Sequence, residues 1–236
     1  SYNKFHIIGD SREVIEYTLP LLINNKNSVR IIPIGINIRS FYYKYDKSSI
    51  RKQYKIQKNC KLIGSTGRIV WEKGYDQLIT LFQTYDFNEQ RLHILIAGEG
   101  GLKNEYIQQV KKNGLEDKIS FIGNIMNIPE FLNCLDIYIQ PSLSEGCPLS
   151  VMESMAAGLP IICSDAGGLK SMITDGKNGI LYKAGEIEDL YKAINKILNS
   201  TENKIAQLGS AAKKTVINNY SIDTAAKEYF GLYKNV

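Results

Sequence analysis

Histidine is nearly missing from this sequence, and cysteine is sparse. Two histidines (His6 and His93) and four cysteines (Cys60, Cys134, Cys147 and Cys163) are spread over 236 residues. No two cysteines share a CxxC spacing, so no zinc constellation is available to them. Cys134 and Cys163 sit in apolar stretches, where a thiol acts as a small core residue. A reduced, cytoplasmic compartment is therefore expected. No run of ~20 apolar residues is present, so no helical membrane span is expected. No signal peptide is visible, and neither are internal repeats or low-complexity tracts.

Excess charge is also small. The net charge is +5. That balance allows an anionic ligand or a loose contact with a membrane surface, but it is no nucleic-acid footprint. Ordinary solvated lysines account for most of it. What the chain does have is apolar residues, at 44% of the total, enough for the core of one large domain or two small ones.

Those apolar residues come in two alternating kinds of segment. VRIIPIG (29–35), KLIGSTG (61–67), RLHILIAG (91–98), KISFIG (118–123), LDIYIQPS (135–142), LPIICSD (159–165) and NGILYK (178–183) read as strands. Most are β-branched runs ending in Gly or Ser, as buried parallel strands do. Helices are expected between them, over 75–85, 102–114, 128–134, 148–158 and 186–199. In the last, Ile187, Leu190, Ile194, Ile197 and Leu198 fall on one face at helical spacing. Two more helices are expected over 201–219 and 221–234, the second capped by Ser221. The fold class is α/β, a Rossmann-like doubly wound parallel sheet. In such sheets ligands bind outside the carboxyl ends of the strands, so the loops there carry the information.

Three of those loops stand out. GRIVWEKGYDQL (67–78) sets Arg68 and Lys73 around a turn. A guanidinium fork and a mobile ammonium at one strand end can hold a diphosphate. A solvated loop with incidental cations is the plainer reading of this segment alone. AGEGGLKNEY (97–106) does not complete the dinucleotide fingerprint G-x-G-x-x-G and lacks its acidic partner, so it reads as a tight strand-to-helix turn. SEGCPLSVMESMAAGLP (144–160) places Glu145 just before a helix and Glu153 about one turn inside it. Pro148 suits the first turn of that helix, where a missing N–H costs nothing. The amides of Leu149 and Ser150 would then be open to an anion. Two carboxylates beside an anion site suit a ligand that is phosphorylated and rich in hydroxyls. The plainer reading is a capping Glu145 and a dipole-favoured surface Glu153.

Taken in order, GRIVWEKG, AGEG, SFIG, QPSLSEGCPLSVMESMAAGLPIICSDAGG and NGILY resemble the carboxyl-terminal, donor-binding half of retaining GT-B glycosyltransferases of family 4. The resemblance runs from about residue 30 to the terminal helix. It implies a retaining hexosyltransferase that takes a nucleotide-sugar donor, UDP-linked first and GDP-linked second. It assigns Arg68, Lys73 and Glu145 to catalysis: the cations hold the diphosphate, and Glu145 meets the sugar hydroxyls. It assigns Gly67, Gly98, Gly123, Asn124, Gly146, Cys147, Pro148, Leu149 and Glu153 to donor and nucleotide binding. Glu153 would take the ribose, and the strand end at Ile122, Gly123 and Asn124 would face the base. Pro148 has no N–H of its own to offer. No metal and no cofactor are implied. The family's frequent Gly-Gly-x-x-Glu has Lys170 and Ser171 where Pro and Glu are common.

The resemblance also divides the chain. Residues 1–28 would be the remnant and linker of a missing amino-terminal lobe, 29–215 the donor-binding domain, and 216–236 a helix that packs back on that lobe. Partners implied are a nucleotide sugar and a glycan or lipid-linked acceptor, with a role in bacterial surface polysaccharide synthesis. A place at the inner face of the cytoplasmic membrane is compatible with a lipid-linked acceptor. Two other readings keep the same donor site: a regulatory lobe without transfer activity, and a sugar-nucleotide epimerase.

Overall fold

The structure, a computed structural model, describes residues 7–11, 15–16, 29–57, 59–87 and 91–234. The parts of the proposed remnant at 1–6, 12–14 and 17–28 lie outside them. Eight strands are described: β1 (Ile7–Gly9), β2 (Val29–Ile31), β3 (Lys61–Thr66), β4 (Leu92–Ala97), β5 (Ile119–Gly123), β6 (Ile137–Gln140), β7 (Ile161–Ser164) and β8 (Ile180–Tyr182). The last six form one parallel sheet in the order β5-β4-β3-β6-β7-β8. The chain winds outward from β3 to β5, returns to lay β6 beside β3, and winds outward again to β8. The direction of winding reverses between β3 and β6, which opens a crevice beyond their carboxyl ends.

Helices fill the gaps: α1 (Lys47–Gln53), α2 (Asp76–Thr84), α3 (Lys103–Lys112), α4 (Ile128–Cys134), α5 (Leu149–Ala156), α6 (Leu169–Met172), α7 (Ile187–Leu198), α8 (Glu202–Asn219) and α9 (Ile222–Tyr233). Side chains alternate across each strand, so the sheet feeds two cores. Leu62, Leu95, Tyr138, Ile161 and Cys163 join Phe131, Val151 and Met152 on one face. Ile63, Ile94, Ile96, Ile137, Ile139 and Ile162 join Leu78, Val110, Leu190 and Ile194 on the other. Both faces are covered, which is why these strands are mostly apolar. The Ser221 hydroxyl caps α9 by accepting the Thr224 amide at 3.1 Å.

One expected strand is placed elsewhere. VRIIPIG does not join the large sheet. Only Val29–Ile31 is extended in a ladder, and it pairs in parallel with β1, Ile7 opposite Val29. Pro33 has no N–H to carry the ladder on. Beyond it, Ile36 exchanges backbone hydrogen bonds with the turn between α8 and α9: its amide donates to Tyr220 O and its carbonyl accepts from Ile222 N, both at 2.9 Å.

Candidate functional site

Three glycines stitch the strand ends of β3, β4 and β5 together. The Gly67 amide donates to Ala97 O at 3.0 Å, and the Gly98 amide donates to Gly123 O at 2.8 Å. Gly98 has φ of +147°, and a Cβ there would lie 1.9 Å from the Gly67 carbonyl oxygen. No other residue allows that approach. The rim of the crevice is thus bare backbone, as the strand-end reading of these glycines expects.

After Gly67 the chain makes a 3-10 turn, Trp71–Lys73. It carries Lys73 back over the crevice, where its ammonium pairs with Glu145 Oε1. The pair is largely shielded, with side-chain exposures of 15% and 9%. Arg68 is exposed and makes no ion pair or side-chain hydrogen bond among the described residues. The two cations at this strand end are therefore in different states, one neutralised and one open.

Glu145 is held by more than Lys73. Its Oε1 also accepts from Ser142 Oγ at 2.7 Å and from Gln140 Nε2 at 3.2 Å. Gln140 Nε2 donates to Ser142 Oγ as well, at 2.8 Å. The amide oxygen of Gln140 accepts from Tyr138 OH at 2.9 Å and from Ser150 Oγ at 3.2 Å. Tyr138 OH lies 3.1 Å from Thr66 Oγ1. Burial pushes the Tyr138 phenol up to about 12, so it stays a hydroxyl. Tyr138, Gln140 and Ser142 are completely buried. Sequence reading passed over all three. The signal was there: in IYIQPS, Tyr138, Gln140 and Ser142 alternate with Ile137, Ile139 and Pro141, a polar stripe in a buried segment.

Pro148 is the N-cap of α5, with extended backbone at ψ 105°, one position earlier than the expected first turn. The consequence for the amides is the same. Val151 N and Met152 N donate to Pro148 O. The amides of Leu149 and Ser150 have no acceptor among the described residues and lie at the positive end of the helix dipole. The Glu153 carboxylate, one turn in, makes no hydrogen bond or ion pair among the described residues, and burial raises its pKa. Gly146 and Cys147 line an open cleft of about 450 Å³, whose far wall includes Asp10, Ile31 and Pro33. Lys170 also lines it and pairs with Asp165 at 3.3 Å.

At the β5 end, Asn124 is exposed. Beside it Lys103 pairs with Glu99 at 2.6 Å, and Glu99 Oε1 would lie 3.0 Å from a Cβ on Gly123. Glu99 and Lys103 belong to the loop read as a plain turn, and they flank the predicted base position. Among the described residues no group of three or more His, Cys, Asp or Glu is gathered as a metal site would need, and no helix is long and apolar enough to cross a membrane.

The model of the family described as Glycosyl transferases group 1 matches residues 46–215. The chain belongs to that family. Among its relatives, a lipopolysaccharide core biosynthesis mannosyltransferase of Rhizobium meliloti is 24% identical over 213 residues, 87% of this chain and 60% of that protein. The UDP-Gal:alpha-D-GlcNAc-diphosphoundecaprenol alpha-1,3-galactosyltransferase of Escherichia coli is 24% identical over 212 residues, 87% of this chain and 54% of that protein. Among solved structures, Anabaena HepE in complex with UDP superposes with a TM-score of 0.88 at 22% identity, over 98% of this chain and 64% of that one. The superposition shows that this group 1 glycosyl transferase has the GT-B half-fold. The chain spans 54% to 64% of the length of these three proteins.

Proposed function

We propose that this chain is the donor-binding half of a retaining glycosyltransferase that moves a hexose from a UDP- or GDP-sugar to a glycan or lipid-linked acceptor. The observation that carries this reading is the grouping at the sheet's switch point. A shielded Lys73–Glu145 pair and the two open amides of α5 meet there, with exposed Arg68 on the same strand-end loop as Lys73 and the Glu153 carboxylate one helical turn into α5. Cations and helix amides suit a diphosphate. Carboxylates suit hydroxyls, Glu145 those of the sugar and Glu153 those of the ribose. In this reading Gly123 and Asn124 face the base, and Gly67, Gly98, Gly146 and Cys147 bring backbone against the donor.

In this reading the bond from the anomeric carbon to the diphosphate oxygen breaks on the face from which the acceptor oxygen attacks. The acceptor's proton passes to the departing phosphate oxygen. Arg68 and Lys73 stabilise the charge that develops on the leaving group. Glu145 orients the sugar and is not a nucleophile, and the reading calls on no metal or cofactor. The activities of the R. meliloti and E. coli relatives, in lipopolysaccharide core synthesis and on a diphosphoundecaprenol-linked sugar, support a role in bacterial surface polysaccharide synthesis. Bound UDP in the Anabaena structure supports a uridine donor.

The test is calorimetric titration of the protein with UDP, GDP, ADP and their glucose conjugates. Clear binding of one diphosphate, with the others weaker, is expected. Binding of none would overturn the reading.

A further inference from the structure

We infer that Gln140 is a positioning residue that holds the Glu145 carboxylate with one oxygen bound inside the protein and the other turned to the sugar. The proposal rests on the donor-site reading above and deepens it. Glu145 Oε1 takes three donors: Lys73 Nζ, Ser142 Oγ and Gln140 Nε2. A carboxylate offers about four lone-pair sites over its two oxygens, so Oε1 is saturated from inside the protein. Among the described residues no hydrogen bond reaches Oε2. The second oxygen is the one presented to a ligand, and a carboxylate turned part-way from this orientation would lose the three donors.

Gln140 owes its own orientation to hydroxyls on both sides. Its amide oxygen accepts from Tyr138 OH and Ser150 Oγ, which leaves Nε2 to face Ser142 and Glu145. Reversing the amide would aim its oxygen at an acceptor-only carboxylate. Tyr138 is anchored in turn by Thr66, at the end of β3. Ser150 lies in the first turn of α5, where the diphosphate is placed. One fully buried side chain thus ties together the β3 end, the sugar-facing carboxylate and the anion-binding helix start. A chain of satisfied polar groups in a low-dielectric interior is rigid, and each member depends on the next. The carboxylate that faces the sugar is therefore held in one geometry by Gln140, which itself touches no part of the donor.

The test compares Gln140→Met, similar in volume but apolar, with wild type in calorimetric titrations of UDP and UDP-glucose. Loss of affinity for UDP-glucose by about tenfold is expected, with UDP affinity nearly unchanged, because only the sugar contact runs through Glu145. In Glu145→Gln the added Gln140→Met should cost much less, since the two residues act as one unit. Ser142→Ala, a small change in the same buried cluster, should show the same split if Gln140→Met does not fold. Equal loss for UDP and UDP-glucose, or additive effects in the double variant, would overturn the positioning role and leave the donor site standing. Equal wild-type affinity for UDP and UDP-glucose would also overturn it, because no sugar contact would then depend on Glu145. A wild type that binds no nucleotide in the panel would overturn the donor-site reading and this proposal with it.

Discussion

Gly167 lies directly beneath the main chain of Glu145. A Cβ on Gly167 would sit 2.0 Å from the Glu145 carbonyl oxygen, and the next amide, that of Gly168, donates to the same oxygen at 3.0 Å. Gly167 also has φ of +47°, where L-residues with a side chain are strained. The loop after β7 is thus the floor on which the Glu145 loop after β6 rests. Gly167→Ala is expected to destabilise the protein by ~1–3 kcal/mol through strain and clash together. Because the shift falls on Glu145, UDP-glucose binding should weaken beyond what partial unfolding explains. Urea unfolding and calorimetry on the same sample check both parts; an unmoved urea midpoint would contradict the packing argument.

Lys73 and Arg68 should separate in a stability assay. Lys73→Met leaves the shielded Glu145 carboxylate without its counter-charge, which should cost ~1–3 kcal/mol of stability. It should also lower UDP affinity by about tenfold or more. Arg68→Met removes an exposed cation with no partner among the described residues. Nucleotide affinity should fall while the melting temperature stays put. Equal stability loss in both variants would contradict the difference in state between the two cations.

Glu153 is costly where it stands, and pH should reveal it. Burial raises its pKa above the ordinary carboxylate value, so the folded state holds the proton more tightly than the unfolded chain. The native state is therefore penalised as pH rises from the ordinary glutamate value through the raised one. Glu153→Gln should raise the melting temperature near neutral pH and leave it unchanged near pH ~4, below the ordinary value. The same variant should weaken UDP binding if the carboxylate takes the ribose hydroxyls. Thermal melts across pH read the first effect, and titration with UDP reads the second. A variant stabilised equally at both pH values would exclude desolvation of the carboxylate as the cause.

Thiol chemistry gives a cheaper readout. Cys60, Cys134 and Cys163 are buried, and burial pushes their thiols up, Cys134 to about 12. Cys147 is part-exposed on the wall of the cleft. A thiol reagent should modify one cysteine in the folded protein, Cys147, and four after denaturation. Bound UDP-glucose should slow that modification. Mass spectrometry of the labelled peptides identifies the site, and labelling of Cys163 in the folded state would contradict the packing.

Much of this was written in the chain. Strands β3, β4, β6 and β7 are runs buried almost throughout, so apolar character marks them, and half-buried β5 and β8 follow the same pattern. α7 was legible because Leu190, Ile194 and Ile197 repeat at helical spacing, and all three are buried. The ligand end of the sheet followed from the order of elements, and Lys73, Glu145 and the α5 start do meet there. VRIIPIG was legible as extended chain but not as to its partner. Strand character is local, whereas pairing with β1 depends on the path of the intervening chain. The alternation in IYIQPS marked Gln140 as a polar residue in a buried strand, but not its partners. Its donors and acceptors come from positions 138, 142, 145 and 150, and Tyr138 is in turn anchored to Thr66 on the neighbouring strand.

The sequence by itself therefore determined the alternation of strand and helix, the family, and which loops would carry chemistry. Those features rest on periodicity and on residue types that are needed wherever they occur. Only the tertiary structure decided that Lys73 is neutralised by Glu145 while Arg68 stays open, and that one oxygen of Glu145 is consumed by the protein. Both facts depend on side chains from separate loops meeting at hydrogen-bond distance. The energy of such a meeting varies steeply with geometry, and no spacing along the chain encodes it.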